Sequence, residues 1–323
     1  FEGRMGNRTG SSPVLGTIKK DTLQKYRWYP AVFCFLVLDH GGMDLRKLNV
    51  DLVTATVAQL CVEACRELSA DVRALLEQAR NEEESAFGCF ILDQVLENLE
   101  VAAREQLPIC QDTGICVVFL EIGQDLHLTG GDLEAAVNAG VRRGYQEGYL
   151  RKSVLSPLTR INTFDNTPAV IHTRMVPGDR LKITVAPKGA GSENMSRLKM
   201  LKPADGIEGV KRFVLETVAA AGGCACPPVI VGVGIGGTME KAALLAKTAL
   251  IRPAGTASSD PTVAELEKEL LALINQTGIG PQGLGGKVTA LAVQIETYPT
   301  HIAALPVAVN LQCHVARHRS AIL

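Results

Sequence analysis

The chain has 323 residues, enough for one large domain or two smaller ones, and its 33 lysines and arginines nearly balance its 34 aspartates and glutamates. Balanced charge, 4% aromatic residues and 31 glycines argue against a nucleic-acid-binding surface and favour an α/β enzyme rich in tight loops. The 9 cysteines are odd in number and lack the dense, regular spacing of a secreted disulfide framework. We therefore expect a cytoplasmic enzyme that binds no nucleic acid.

Residues 1–42 differ from the rest of the chain. They begin without methionine and run through Gly, Ser and Asn into a basic pair and an apolar patch at residues 28–38, which is too short to span a bilayer. This stretch is similar to a signal peptide, but it starts late and lacks a small-residue cleavage site. Because Met43 resembles a natural start, we predict that residues 1–42 are a disordered extension or an upstream translation artefact, and that residues 43–323 form the catalytic domain.

A polar segment at residues 108–114 follows a long helical pattern. From residue 44 to about residue 106, apolar residues recur at three- and four-residue steps, which predicts three helices, with Ser69 as the cap of the second. The apolar run at residues 115–120 predicts a buried strand. Irregular segments between rigid elements commonly present reactive side chains. Alternatively, Asp112 caps a turn and Cys110 is a small core residue.

The next part of the chain predicts a helix from residue 130 to about residue 149, and two strands joined at the turn of residues 177–179. Arg151 lies just after this helix and has two interpretations. It is either a surface cation favoured by the helix dipole, or a guanidinium that binds a substrate carboxylate through paired hydrogen bonds. Gly191 lies in a polar loop at residues 188–194. It permits a close approach by a ligand, and it fits a mobile surface loop equally well.

A helix is predicted at residues 207–218, followed by a strand at residues 229–231. Gly232, Gly234 and Gly237 have the spacing of a dinucleotide-binding loop, but no acidic residue ends a following strand about 20 residues on. A nucleotide-dependent oxidoreductase is therefore a minor alternative. A helix capped by Asp260, a glycine-rich loop and two further strands complete an α/β pattern, in which a helical N-terminal segment precedes mixed β-sheets flanked by helices.

Apart from Cys34, which lies in residues 1–42, the cysteines fall into two groups. Four lie in apolar patterns and are expected to be core thiols: Cys61, Cys65, Cys89 and Cys116. Four others lie in glycine, proline or polar surroundings: Cys110, Cys224, Cys226 and Cys313. Since Cys224 and Cys226 are the only close pair among these four, spacing alone leaves open whether the thiols are unrelated or share one cluster.

Four sequence segments, in this order, resemble the alpha-type catalytic region of class I fumarate hydratases and tartrate dehydratases. They are LPICQDTG at residues 107–114, LRKS at 150–153, CPPVIVGVGIGG at 226–237 and NLQCH at 310–314. The resemblance runs from about Met43 to the C-terminal end. It implies the alpha-type fold of the iron-sulfur hydro-lyases.

The resemblance implies a four-iron four-sulfur cluster held by Cys110, Cys226 and Cys313. The Cys-Pro-Pro motif selects Cys226 over Cys224 as the ligand. Three ligands on four irons leave one iron open, and an open iron can act as a Lewis acid toward a substrate hydroxyl.

The resemblance also assigns roles to individual residues. Asp112, in the proton-transfer network, and His301, at the border of the site, match catalytic positions. Gln111, Arg151 and Gly191 match substrate-binding positions. The implied reaction is the reversible hydration of fumarate to malate, with dehydration of L-tartrate to oxaloacetate as the alternative. A non-catalytic subunit that merely carries a cluster ranks lower, because the set Gln111, Asp112 and Thr113 is intact.

The chain ends 10 residues after Cys313, where the fused members of the resembled family continue into a second region. That region supplies further arginine, lysine and threonine groups for the substrate. We therefore expect a separate beta-type subunit that completes the active site for a small dicarboxylate, and a dimer of such alpha–beta pairs.

Overall fold

A computed structural model describes residues 45–323, so the expectations for residues 1–42 lie outside the described part of the chain. The helices are α1 (Val50–Arg66), α2 (Ala70–Glu82), α3 (Ala86–Glu105), α4 (Leu133–Glu147), α5 (Ala190–Glu193), α6 (Gly206–Ala221), α7 (Met239–Ala249) and α8 (Pro261–Asn275). The strands are β1 (Arg46–Asn49), β2 (Ile115–Gly123), β3 (Leu126–Thr129), β4 (Val170–Val176), β5 (Leu181–Lys188), β6 (Arg197–Leu201), β7 (Val229–Gly236), β8 (Ala290–Tyr298), β9 (Leu305–Gln312) and β10 (Arg319–Ile322).

The three predicted N-terminal helices are present as α1, α2 and α3. Ser69 stands at the N-cap of α2, but its hydroxyl makes no capping hydrogen bond. The Asn49 side chain caps α1 and the Ser85 side chain caps α3. Strand β1, which the sequence did not predict, pairs in parallel with β3. These helices end directly before the polar segment at residues 108–114.

The first large sheet has the strand order β10-β5-β2-β4, and its core packs on α1 and α4. Both strands predicted around residues 177–179 exist, but they do not pair with each other. Strand β2 lies between them: Val118 is paired with Ile171 of β4 on one side and with Val185 of β5 on the other. The buried apolar side chains of β2 explain this arrangement, since a central strand needs a partner on both edges.

The second large sheet has the strand order β6-β9-β7-β8, and one face packs on α6 and α8. Helix α7 covers the other face at an unusually close approach. A methyl group on Gly232 would overlap the carbonyl oxygen of Ala246, and one on Gly234 would overlap that of Ala242. Strand β7 runs straight through both glycines. The strand predicted at residues 229–231 therefore extends through these glycines, which serve helix–strand packing, and the minor alternative of a dinucleotide-binding loop finds no support.

The described residues form a mixed α/β structure with several sheets, as the alternating pattern predicted. Within residues 45–323 no helix combines the length and apolar character needed to cross a bilayer. Cys226 and Cys313 lie just outside the ends of β7 and β9, and Asp112 lies three residues before β2, whereas Gly191 lies within the short helix α5.

Candidate active site

Cys226 and Cys313 lie at the same end of the second large sheet. Cys226 precedes β7 and Cys313 follows β9, and these strands are antiparallel, with Ile230 paired to Gln312. The backbone N–H of His314 donates to the carbonyl oxygen of Cys226 at 3.4 Å, and the imidazole Nδ1 lies 3.1 Å from the same oxygen. The sheet register therefore brings together two thiols that are far apart in the sequence.

Cys226 has a left-handed backbone conformation, with φ of 53°. A side chain in this region costs roughly 1–2 kcal/mol, so the surrounding structure must hold the residue there. Its N–H donates to the carbonyl oxygen of Gly223 at 3.0 Å, which closes the turn after α6. This turn leaves Cys224 exposed and Cys226 half-buried. The structure thus gives the two neighbouring cysteines different environments.

Cys110 belongs to the segment between α3 and β2. Two hydrogen bonds of Ile109 fix the segment. Its N–H donates to the backbone carbonyl oxygen of Cys65 at 2.9 Å, and its own carbonyl oxygen accepts from the Asn98 side chain at 2.9 Å. Burial raises the pKa of the Cys226 thiol, and the nearby Cys110, Cys224 and Asp112 raise it further. Cys110 therefore lies within electrostatic reach of Cys226.

The Cys313 thiol has a raised pKa as well. Burial is the main cause and Cys226 adds to it, whereas the positive charges of Arg317 and Lys188 oppose it. Cys226 thus interacts with both Cys110 and Cys313. Thiolates that repel one another are stabilised by bound metal, because coordination neutralises their charge.

The described residues include no group of three His, Cys, Asp or Glu side chains close enough to hold a single metal ion. A cluster with its irons at separate corners requires thiols that stand farther apart than the ligands of one ion. Two thiols at one sheet edge and a third on a fixed loop, with Cys226 as the neighbour of both others, fit the donor set of such a cluster.

Asp112 links the Cys110 segment to the glycine loop. Its Oδ1 accepts from the N–H of Gly114 at 3.0 Å, and its Oδ2 accepts from the N–H of Ala190 at 2.8 Å. Its own N–H lies 3.4 Å from the sulfur of Cys110. A methyl group on Gly189 would stand 3.2 Å from Oδ2, so glycine is what lets this loop close on the carboxylate. The carboxylate is thereby held in one orientation.

The remaining predicted substrate-binding residues surround Asp112. Gln111, Arg151 and Gly191 are all exposed. The Thr113 hydroxyl donates to the carbonyl oxygen of Arg151 at 3.0 Å, which ties the end of the α4 connection to the Cys110 segment. Gly191 lies beside Cys224, whose carbonyl oxygen would be 3.6 Å from an added methyl group. The Arg151 side chain is exposed to a ligand, whereas the Gln111 amide oxygen accepts from the Cys110 thiol at 3.4 Å.

A cleft of about 270 Å³ opens beside Asp112, but Gln111, Arg151, Gly191 and the three cysteines are not among its lining residues. Its lining includes Asp112, Gly114, Ser153, Arg160, Lys188 and Glu193. A small, charged cleft with both cationic and anionic groups suits a compact polar ligand.

A buried ion network supports one wall of the cleft. The Lys188 side chain is only 6% exposed, and its Nζ lies 3.3 Å from Glu193 and 2.9 Å from the Ser192 hydroxyl. Burial lowers the pKa of Lys188 to about 8, although the Glu193 charge opposes the shift. Lys247 and the Asn310 amide also bind Glu193. The network fixes the glycine loop against the second sheet.

Sequence reasoning missed Lys188 and Glu193. Both lie in the polar, glycine-bearing loop at residues 188–194, and the composition of this loop was the sequence signal that could have identified them. Their partners Lys247 and Asn310 lie 54 and 117 residues from Glu193, so the network became visible only in three dimensions.

His301 lies far from this cleft within one chain. It follows β8, whose Tyr298 is paired with Gly236 at the opposite end of β7 from Cys226. Strand β7 has 8 residues. At a rise of roughly 3.3 Å per residue its two ends are roughly 20 Å apart. A catalytic role for His301 stays a prediction that the geometry of a single chain does not support.

Comparison with known proteins gives concordant matches. The profile of the family described as fumarate hydratase (Fumerase) matches residues 54–322. A protein of Methanocaldococcus jannaschii named "Putative L(+)-tartrate dehydratase subunit alpha" is 46% identical over 271 residues, which cover 82% of this chain and 95% of the relative. The L(+)-tartrate dehydratase subunit alpha of Escherichia coli strain K12 is 34% identical over 272 residues, covering 83% and 89%.

Proposed function

Since the chain belongs to the fumarate hydratase family of class I hydro-lyases, we propose that it is the alpha-type subunit of an iron-sulfur enzyme that reversibly hydrates fumarate to malate. The observation that supports the proposal is the geometry around these thiols: the pairing of β7 with β9 puts Cys226 and Cys313 at one end of a sheet, and the N–H of Asp112, whose carboxylate is held by Ala190, lies 3.4 Å from the Cys110 sulfur. Residues 43–323 form the catalytic domain in this proposal, with the alpha-type fold of these hydro-lyases.

The residues proposed to hold a four-iron four-sulfur cluster are Cys110, Cys226 and Cys313. When bound by three thiolates, such a cluster has one open iron that can polarise the substrate hydroxyl as a Lewis acid. Cys224 is left out because it is exposed on the turn before Cys226. The positive charges of Arg317 and Lys188 near Cys313 support the assignment, since they stabilise an anionic centre.

Asp112 is proposed to accept the proton from the carbon next to a substrate carboxylate. Its two oxygens already accept backbone N–H bonds, which orient the group and leave lone pairs toward the cleft. Removing this proton is difficult, because negative charge develops beside a group that is already anionic. The exposed guanidinium of Arg151 would bind a substrate carboxylate through paired hydrogen bonds. The Gln111 amide and the Gly191 backbone would complete the polar lining.

A beta-type subunit is proposed to complete the site. The relatives are named alpha subunits, and a nearby loop presents large apolar side chains to solvent: Leu158 is 92% exposed and Phe164 is 76% exposed. The loop is anchored to the site through buried Asn166, which donates to the Gly114 carbonyl oxygen at 3.2 Å. An ordered apolar loop beside an exposed cleft is typical of a docking surface. We further propose a dimer of such alpha–beta pairs.

L-tartrate dehydration is the second candidate activity. The names of the M. jannaschii and E. coli relatives support it directly. Tartrate differs from malate by one additional hydroxyl group, so the same Asp112 and the same cations serve both reactions. No residue in the described cleft discriminates the two substrates.

The test is an assay of the chain co-expressed with its beta-type partner and reconstituted with iron and sulfide without oxygen. We expect hydration of fumarate and dehydration of L-malate to proceed faster than dehydration of either tartrate enantiomer. Faster turnover of L-tartrate would favour the second candidate. Absence of turnover with all four compounds in a cluster-loaded complex would contradict the proposed function.

A further inference from the structure

Arg317 lies four residues after Cys313 and is 4% exposed. Its Nε donates to the carbonyl oxygen of Pro187 at 3.4 Å, and its Nη2 donates to the carbonyl oxygen of Asp112. One guanidinium therefore connects the end of β5, the segment that carries Cys110 and Asp112, and the segment that follows Cys313. The proposed function assigns Arg317 no role.

The hydrogen bonds of Arg317 go to neutral backbone oxygens. Its other terminal nitrogen, Nη1, is buried and has no partner among residues 45–323. Arg252, another largely buried arginine, also has a buried Nε without a partner, but its guanidinium forms ion pairs with Glu267 and Glu296. A buried cation without a carboxylate, and with an unused N–H donor, indicates that an anionic partner belongs beside it.

The groups that face Arg317 identify the anionic partner. Its Nη2 binds the carbonyl oxygen of Asp112, two residues after Cys110, and the Cys313 thiol lies 3.9 Å from the carbonyl oxygen of Val315, two residues before Arg317. Lys188 lines the same cavity as Arg317 and adds a second positive charge. The Asp112 carboxylate is a further negative group here, but its oxygens accept from the N–H groups of Gly114 and Ala190. The cysteine set is therefore the anionic partner that remains for Nη1.

We propose that Arg317 is the internal counter-cation of the three-cysteine centre, with Nη1 as a hydrogen-bond donor to its sulfur. This inference rests on the proposed function, because it requires a cluster at these cysteines. Arg317 is a positioning and charge-balancing residue and does not touch substrate. Its charge stabilises the more negative, reduced form of the bound cluster and slows the loss of iron.

The experiment compares Arg317→Gln and Arg317→Lys in the reconstituted complex. Glutamine keeps an N–H donor for the Asp112 carbonyl but removes the charge, whereas lysine keeps the charge and loses the planar fork. Arg319→Gln is the matched control, since Arg319 pairs with Glu67 at the surface. The readouts are the cluster midpoint potential, followed by electron paramagnetic resonance, and the rate at which a chelator removes iron.

We expect Arg317→Gln to shift the midpoint potential to a more negative value and to raise the rate of iron loss about tenfold. Arg317→Lys should stay close to the unsubstituted complex in potential, and Arg319→Gln should match it in both readouts. Equal shifts in the Gln and Lys variants would overturn the proposal, because charge would then not be the cause. An unchanged potential in Arg317→Gln would overturn it as well.

The outcome separates this inference from the proposed function. Failure of the unsubstituted complex to bind a cluster would reject both. The complex could instead be active and loaded with a cluster, with a midpoint potential and an iron retention that do not depend on the charge at residue 317. This result would reject only the role of Arg317. If Arg317→Gln does not fold, Arg317→Lys still tests the proposal. This variant keeps the positive charge, so a strongly altered cluster midpoint potential in it would contradict the proposal.

Discussion

At the residue scale, the proposed proton transfer depends on the carboxylate group of Asp112. Replacing it with asparagine retains the size of the side chain but removes the basic oxygen, so we expect turnover to fall at least about a hundredfold. The visible absorbance of the cluster should remain, because Asp112 is not among the proposed ligands. Steady-state assays and absorbance spectra of the reconstituted complex measure both effects.

Asp260→Asn is the control for that substitution. Asp260 also accepts two backbone N–H bonds, from Thr262 and Val263, but it does so at the N-terminus of α8. Asparagine caps helices about as well as aspartate, so activity and stability should hardly change. Unchanged turnover in Asp112→Asn would instead favour a non-catalytic, cluster-carrying subunit.

Lys188 makes stability depend on pH in the alkaline range. Its pKa is lowered from 10.5 to about 8 in the folded chain, so between these pH values the unfolded chain binds more protons. Stability from this group therefore increases as pH rises from 8 to 10.5 and is constant below pH 8. The upper limit of the gain is about 3 kcal/mol.

Urea unfolding of the wild-type chain and of Lys188→Met at several pH values measures this dependence. The free energy of unfolding of the wild type, relative to the variant, should grow between pH 8 and pH 10.5. Lys182→Met is the control, because Lys182 is 46% exposed in its pair with Glu121. Parallel curves for the wild type and Lys188→Met would show that Lys188 titrates normally.

At the scale of elements, the glycines of β7 fix the distance between this strand and α7. Gly234→Ala should lower the free energy of unfolding by about 3 kcal/mol or more, because the new methyl group overlaps the Ala242 carbonyl oxygen. Gly278→Ala is the comparison. That glycine has φ of 69° and no neighbour within 4 Å, so only backbone strain of about 1 kcal/mol is expected.

Denaturant unfolding of both variants distinguishes packing from ligand binding. If Gly234→Ala were as mild as Gly278→Ala, the close approach of α7 would be wrong. Fluorescence titration should show no binding of NAD to the wild-type chain. A saturable signal that Gly234→Ala removes would restore the nucleotide interpretation.

The sequence predicted those elements whose signals are local. Periodicity gave α1 to α3, the Asp260 cap was correct, and the apolar run after residue 114 became β2. The pairing of β2 between β4 and β5 could not be read locally, because a turn at residues 177–179 is compatible with either a hairpin or a crossing partner. The strand at residues 229–231 was predicted too short for a similar reason, since the glycines of β7 suit a loop as well as a close helix contact.

The candidate site was predictable only in part. The motifs around Cys110, Cys226 and Cys313 singled out the thiols, but the register of β7 and β9 is what brings Cys226 and Cys313 to one edge. The Lys188–Glu193 network and Arg317 depend on contacts across more than 50 residues or on burial, and no local pattern encodes them. His301 is the opposite case. Its position in the sequence matches a histidine bordering the site, but it follows a strand end at the other end of β7 from Cys226.

At the scale of the whole molecule, the exposed loop with Leu158 and Phe164 is the expected contact with the beta-type subunit. Phe164→Asn should weaken co-purification of the two chains, since asparagine tolerates the φ of 67° at this position but removes the apolar surface. Phe87→Asn is the control on α3, where Phe87 is 52% exposed and stacks on Phe90. Light scattering of the purified chains measures the assembly.

The alpha chain alone should show no ordinary hydro-lyase rate after cluster reconstitution, and addition of the beta-type chain should restore it. Full activity of the isolated chain would contradict the proposed division of the site. Normal alpha–beta assembly in Phe164→Asn, together with loss of self-association, would assign the loop to a contact between alpha chains.

The cysteine assignment is the central claim, and iron and sulfide analysis of single Cys→Ser variants tests it most directly. The account predicts that Cys110→Ser, Cys226→Ser and Cys313→Ser each lose the cluster's absorbance and most of the iron. Cys224→Ser, the matched control two residues before Cys226, should retain both. Retention of a full cluster by any of the first three variants, or its loss in Cys224→Ser alone, would contradict the account.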